Sequence, residues 1–72
     1  MTEEKMISVE VPYLFNEPVI LAEKELKSAG LSWTLAGNVR QGAYVKSQSP
    51  FPGVFVPPGT IIHLFCVVGP TP

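Results

Sequence analysis

The sequence predicts an α+β fold in which a single helix packs on a three-stranded β-sheet, with the elements in the order β-α-β-β. Three observations lead to this fold class. The chain has 72 residues, which suffices for one small hydrophobic core. One segment carries apolar residues at helical spacing, and the segments around it carry the alternating or continuous apolar runs of strands. Eight prolines and six glycines separate these segments with turns. We expect the sheet to be small and antiparallel.

The first strand and the helix are predicted from the first thirty residues. Residues 7–11, ISVEV, alternate apolar and polar side chains, so they predict a short strand with one solvent-facing side. Asn16 is a favourable N-cap residue, and Pro18 fits the first turn of a helix over residues 17–29. Gly30 is predicted to end this helix in a left-handed conformation. The apolar positions fall on one helical face: Val19, Ala22, Leu26 and Ala29.

Two further strands are predicted over residues 31–37 and 59–69, and residues 43–49 have the pattern of an additional strand. Alternation over residues 43–49 places Val45, Ser47 and Ser49 on one face, and Tyr44, Lys46 and Gln48 on the other. In the last strand, alternation separates Ile62, Leu64 and Cys66 from Ile61, His63, Phe65 and Val67.

Residues 49–59, SPFPGVFVPPG, contain four prolines and two glycines. Because proline cannot donate to a sheet ladder, this stretch is predicted to be a stiffened connection between the last two strands. It lowers the entropy of the unfolded chain, which stabilises a domain with a small core.

The charge distribution and the titratable residues exclude several classes of function. All six acidic residues lie in the first 25 positions, and residues 28–72 contain only Arg40 and Lys46 as charged residues. This imbalance is either chance or a weak preference for an anionic partner, and two cations are too few to predict nucleic-acid binding. No apolar run approaches the length of a membrane span, so no membrane insertion of this segment is expected.

Catalytic and metal chemistry are not expected either. His63 and Cys66 lie three apart on a predicted strand, so their side chains point to opposite faces and cannot form a dyad. Glu23 and Glu25 are predicted on an exposed helix surface, where nothing raises the pKa of a carboxyl group. No metal-ligand spacing or phosphate-binding loop occurs. We therefore expect no enzyme activity, no cofactor and no metal.

Five ordered motifs over residues 7–69 carry a family resemblance. They are VPYL at residues 11–14, A-x-x-x-L-x-x-x-G-L at 22–31, QSPFPG at 48–53, V-x-x-G-T at 56–60, and a closing β run that ends at Gly69. Together they resemble the PASTA domain, the module named after penicillin-binding proteins and serine/threonine kinases. Phe15 and Asn16 stand where this family usually has a glycine. The second strand of the family often breaks near the position of residues 37–42, which accommodates the additional strand at 43–49. Residues 1–6 and 70–72 are expected to be the frayed ends of a module that belongs to a longer protein.

The family pattern also implies that Ile62, Leu64 and Cys66 face inward and that Ile61, His63, Phe65 and Val67 face outward. That outward face, with Tyr44 alongside, is unusually apolar. Such a face is typical of a surface that docks another domain or stacks a sugar, of a domain separated from its neighbour, or of a face over which an end of the chain folds.

The resemblance implies an extracytoplasmic bacterial module, on the outer side of the cell membrane or in the cell wall, within a penicillin-binding protein or a kinase. A single repeat slightly favours the penicillin-binding protein. Such a module is expected to recognise peptidoglycan fragments, and some members bind β-lactams. The alternative is a docking or spacer module that contacts neighbouring domains of the parent protein and binds no glycan. The candidate ligand-binding residues are Arg40, Tyr44, Lys46, Gln48, His63 and Phe65.

Overall fold

The computed structural model describes residues 7–69 and has one helix and five strands in that range. The terminal segments predicted to be frayed, residues 1–6 and 70–72, lie outside the described residues. The α+β class, with one helix and a three-stranded sheet, is confirmed. The predicted order β-α-β-β is matched only roughly, because the structure has a second, two-stranded sheet and the first strand belongs to it. In chain order the elements are β1 (Val9–Glu10), α1 (Val19–Ser28), β2 (Ser32–Gly37), β3 (Tyr44–Ser49), β4 (Phe55–Val56) and β5 (Ile61–Val67).

The three-stranded sheet is mixed, in the order β2-β5-β3, so the expectation of an antiparallel sheet is wrong. Strand β5 pairs in parallel with β2 and antiparallel with β3. The reason is topological. Strands β2 and β3 follow each other through a short loop but do not pair, because β5 lies between them. Since β2 and β3 run in opposite directions on either side of β5, the central strand must be parallel to one of them.

A second, two-stranded sheet forms from β1 and β4, with Val9 opposite Val56 and Glu10 opposite Phe55. Strand β4 lies within the segment that was predicted to be only a connection. Its prolines flank the paired residues instead of interrupting them, so residues 53–56 keep their N–H groups. The pairing extends past the strands, because the Val11 N–H donates to the Val54 carbonyl at 2.8 Å and the Gly53 N–H donates to the Val11 carbonyl at 2.9 Å.

The helix begins at Val19, two residues later than predicted, and Pro18 occupies the N-cap position. Asn16 is not the cap. It has a φ of 69°, a left-handed conformation that asparagine tolerates better than most residues. Before the helix starts, the chain pairs with β3: the Asn16 N–H donates to the Val45 carbonyl at 2.7 Å, and the Val45 N–H donates to the Glu17 carbonyl at 2.9 Å. This pairing follows a turn in which the Glu17 N–H donates to the Leu14 carbonyl at 3.1 Å, and the helix begins only after it.

A β-bulge at Lys46 changes which side chains of β3 face the core. Val45 lies opposite Cys66, but the next paired residue, Ser47, lies opposite Phe65, so Lys46 is the additional residue. After the bulge the alternation is inverted, and Gln48 points inward and is only 4% exposed. The prediction that Gln48 shares an outer face with Tyr44 and Lys46 is therefore wrong.

The core lies between α1 and the inner face of the three-stranded sheet. The predicted helix stripe is confirmed, since Val19, Ala22 and Leu26 are buried. In β5 the predicted inward and outward faces are also confirmed. The buried apolar residues are Val11, Leu14, Val19, Ala22, Leu26, Leu31, Ala43, Val45, Val56, Ile62, Leu64 and Cys66.

Candidate functional site

An open groove of about 910 Å³ lies where the N-terminal end of α1 meets the loop between β2 and β3. The helix contributes Val19, Ile20 and Glu23, strand β2 contributes Leu35, and the loop contributes Val39 and Arg40. Tyr44, at the start of β3, also lines it. The groove is therefore largely apolar, with one acidic and one basic side chain on its walls.

The loop that forms one wall is held at both ends. Gly37 and Gly42 both have a positive φ, near 86° and 88°, which glycine adopts without strain. At the first end the Asn38 N–H donates to the Cys66 carbonyl at 3.0 Å, and at the second the Ala43 N–H donates to the Arg40 carbonyl at 2.9 Å. These bonds fix the loop backbone and leave the Arg40 side chain exposed.

Glu23 is a groove residue that the sequence pattern does not indicate. The pattern predicts a solvated helix surface, but Glu23 is half-buried, and its Oε2 atom accepts a hydrogen bond from Trp33 Nε1 at 3.2 Å. The bond orients the carboxylate between the helix and β2. The only sequence signal for it is that Glu23 lies three residues after Ile20, on the same side of the helix.

The six predicted ligand-binding residues do not form one site. Arg40 and Tyr44 lie at the groove, and Lys46 is exposed at the bulge of β3. His63 and Phe65 lie on the outer face of the sheet. The sixth, Gln48, is buried.

Gln48 is a structural residue, because its side-chain amide is bonded within the protein. Its Oε1 atom accepts from the Leu14 N–H at 2.8 Å, and its Nε2 atom donates to the Pro12 carbonyl at 3.0 Å and to the Pro50 carbonyl at 3.4 Å. The amide thus joins β3 to the segment before the helix. It has no group left to offer a ligand, which removes Gln48 from the candidate site.

The outer face of the sheet combines apolar and hydroxyl-bearing side chains. Phe65 and Ile61 are each about half exposed, at 47% and 48%. Between them His63 lies level with Thr34 on β2 and Ser49 on β3, and its Nδ1 atom is 2.9 Å from Thr34 Oγ1. The apolar outer face that the sequence predicts is present.

Two groups have a pKa displaced by their surroundings. Burial raises the pKa of the Cys66 thiol above its usual 9.0. Burial, and after it the neighbouring Glu25 carboxyl group, raises the pKa of Glu17 above 4.5. Since His63 is exposed and Cys66 is buried, the prediction that they lie on opposite faces is confirmed.

Within residues 7–69, no group of three or more His, Cys, Asp or Glu side chains is arranged to hold a metal ion. In the same range, α1 is too short and too polar to cross a membrane. No protein-family model matches this chain, and no curated protein or solved structure matches it either. The resemblance to the PASTA domain stays a prediction from the sequence motifs.

Proposed function

We propose that this chain is a non-catalytic, extracytoplasmic binding module of the PASTA type, carried by a bacterial penicillin-binding protein or serine/threonine kinase, and that its groove recognises peptidoglycan fragments. The observation that supports the proposal is the groove itself, with apolar walls and the charged side chains of Arg40 and Glu23. A concave, mostly apolar site with a few polar groups is the usual form of a small-ligand site.

The chemistry of the groove suits a muropeptide. Such a fragment carries carboxylates, amides, and the methyl groups of acetyl and alanyl units. The Arg40 guanidinium pairs with a ligand carboxylate in a two-point contact. The Glu23 carboxylate, already oriented by Trp33, accepts from a ligand amide or ammonium group. The exposed side chains of Ile20 and Val39 contact the methyl groups.

The proposal is tested by titrating a muramyl peptide into the isotopically labelled chain and recording amide shifts. We expect the shifts to cluster at Ile20, Val39, Arg40 and Gly42, and the outer sheet face to stay unchanged. Arg40→Gln should weaken binding about tenfold, because a charge-assisted hydrogen bond contributes about 1.5 kcal/mol. Lys46→Gln is the matched control, since it removes the same charge away from the groove and should bind as the parent does.

A β-lactam provides a second probe of the same groove, because it presents a carboxylate beside an amide. We expect it to shift the same amides as the muropeptide and to compete with it. If neither compound moves the groove amides, or if Arg40→Gln and Lys46→Gln weaken binding equally, recognition by the groove is refuted.

A docking module for neighbouring domains is the second candidate function. It is favoured by the outer sheet face, where Phe65 and Ile61 stay about half exposed. Phe65→Ser should then abolish a complex with the catalytic domain of the parent protein and leave muropeptide shifts unchanged. An unaltered complex would exclude docking through this face.

A further inference from the structure

Strand β2 is an open edge of the three-stranded sheet, because it pairs with β5 on one side and with no other described segment on the other. The hydrogen bonds identify which residues face that edge. The Ser32 N–H donates to the Thr60 carbonyl and the Asn38 N–H to the Cys66 carbonyl, both at 3.0 Å. In a parallel ladder, every second residue of a strand bonds to the neighbouring strand through both its N–H and its C=O group. The even-numbered residues of β2 therefore bond to β5. The N–H and C=O groups of Trp33, Leu35 and Gly37 therefore point to the open side.

Over residues 32–36 this edge lacks the features that usually prevent strand pairing, whereas Gly37 at its end has a φ of 86°. Its sequence, SWTLAG, has no charged residue and no proline, and its register with β5 runs without a bulge. Proteins commonly protect exposed edges with those features. The opposite edge of the sheet differs, since residues 16–18 pair with Tyr44 and Val45 and cover the first part of β3.

We propose that the β2 edge pairs with the β2 edge of a second copy of this chain, antiparallel and across a twofold axis at Leu35. With this register every free edge group finds a partner. Leu35 pairs with Leu35 of the second copy, and Trp33 pairs with Gly37 of the second copy. In an antiparallel ladder such residues exchange both their N–H and their C=O. The three-stranded sheets of the two copies join into one continuous sheet.

The side chains fit this register on both faces. On the inner face the indole of Trp33 lies across from a glycine, a pairing in which an aromatic side chain covers the exposed glycine backbone. Trp33 and Leu35 are only half-buried in the single chain, and the second copy covers the remainder. On the outer face Thr34 meets Ala36, and both are exposed. No charge within the strand opposes an identical charge across the axis.

The pairing is weak, because one pair of short strands buries less area than the 1,200 Å² or more that is typical of a stable interface. The full chain should be monomeric near 10 µM and dimeric near 1 mM in analytical ultracentrifugation. Over the same range the amides of Trp33, Leu35 and Gly37 should gain protection from hydrogen exchange, while those of Thr34 and Ala36 are protected at every concentration. A monomer at 1 mM, or a dimer with new protection elsewhere, overturns the proposal.

Variants test the register. Thr34→Glu and Ala36→Lys place single charges on the outer face, and each should weaken the dimer about 3- to 10-fold. An equal mixture of the two should restore association, because the glutamate of one chain then lies opposite the lysine of the other. A mixture that associates no better than either variant alone overturns the register. Leu35→Pro removes the N–H group at the centre of the proposed pairing. Because this group points to the open side, where an edge strand tolerates proline, the variant should be folded and monomeric near 1 mM.

Discussion

The buried amide of Gln48 is predicted to be one of the largest single contributions to stability in this fold. Replacing Gln48 with methionine keeps the length and most of the volume of the side chain but removes its hydrogen bonds. The Leu14 N–H then stays buried without a partner, which costs about 1–3 kcal/mol. The lost bond to the Pro12 carbonyl costs about 0.5–1.5 kcal/mol more.

Methionine recovers part of this loss, roughly 1 kcal/mol, because it buries more apolar surface than glutamine. The expected net loss is therefore about 2 kcal/mol. A chain of 72 residues has a total stability of about 4–11 kcal/mol at the usual value per residue. The substitution should remove a fifth to a half of it.

The assay is urea unfolding, followed by the fluorescence of Trp33 and by far-UV circular dichroism. The midpoint should fall while the m value stays unchanged, as expected for a loss of stability without a change in exposed surface. Lys46→Met, at the exposed bulge two residues away, is the matched control and should change the unfolding free energy by less than about 0.5 kcal/mol.

Gln48→Glu adds a pH test of the same bonds. When protonated, the carboxyl group both donates to Pro12 and accepts from Leu14, but the carboxylate has no proton for the Pro12 carbonyl. Its stability relative to the parent should therefore fall as the pH rises through the pKa of the new group. A Gln48→Met variant within about 0.5 kcal/mol of the parent would refute the reasoning, because the amide would then be replaceable by water.

Three further predictions concern other parts of the fold. Gly37→Ala should destabilise by about 2 kcal/mol or more in urea unfolding, because its φ of 86° disfavours any side chain and a Cβ would collide with the Cys66 carbonyl oxygen. Gly42→Ala should destabilise the chain less than Gly37→Ala does, because the φ of Gly42 is similar but its surroundings are open. Because the pKa of Glu17 is raised in the folded state, the folded chain binds the carboxyl proton more tightly than the unfolded chain does. This contribution to stability is therefore present at low pH and is lost as the pH rises above about 4.5. Glu17→Gln should be more stable than the parent at pH 7 by less than about 1 kcal/mol, and it should lose this advantage near pH 4. Cys66 is fully buried with a raised pKa, so iodoacetamide should modify it only in unfolding conditions, and rapid labelling of the native chain would contradict its burial.

The parts of the fold that could be predicted are those where one local pattern determines the outcome. The stripe of Val19, Ala22 and Leu26 is repeated often enough to fix the inner face of the helix. In β5 nearly every residue is apolar, so alternation separates the two faces without deciding which is buried, and the inward face follows from the family resemblance. Gly30 ends the helix with a φ of 79°, as its position after the stripe indicates.

The remainder depends on contacts between distant residues. The bulge at Lys46 is a property of the pairing with β5, and no residue in β3 marks it, so the position of Gln48 could not be found from alternation alone. Strand β4 has only two residues and exists because β1 is available to pair with it. The start of the helix is set by the pairing of residues 16–18 with β3, which overrides the capping preference of Asn16.

The candidate site, like the fold, could be predicted only in part from local patterns. Arg40 is predicted from its chemistry and lies at the groove, whereas Tyr44 is predicted beside the outer face of the last strand but lines the groove too. Glu23 could not be predicted as a groove residue, because its position depends on a hydrogen bond to Trp33, ten residues away, that local spacing does not reveal. His63 and Phe65 were placed correctly on the outer face but belong to a different surface.

The position of β5, last in the chain and central in the sheet, has a consequence for biosynthesis. Strands β2 and β3 emerge from the ribosome first, yet neither has a partner in the sheet until residues 61–67 arrive. The three-stranded sheet can therefore form only after residues 61–67 have left the exit tunnel. A stop codon placed before Ile61 should yield a product without this sheet, in which β2 and β3 are open to proteases.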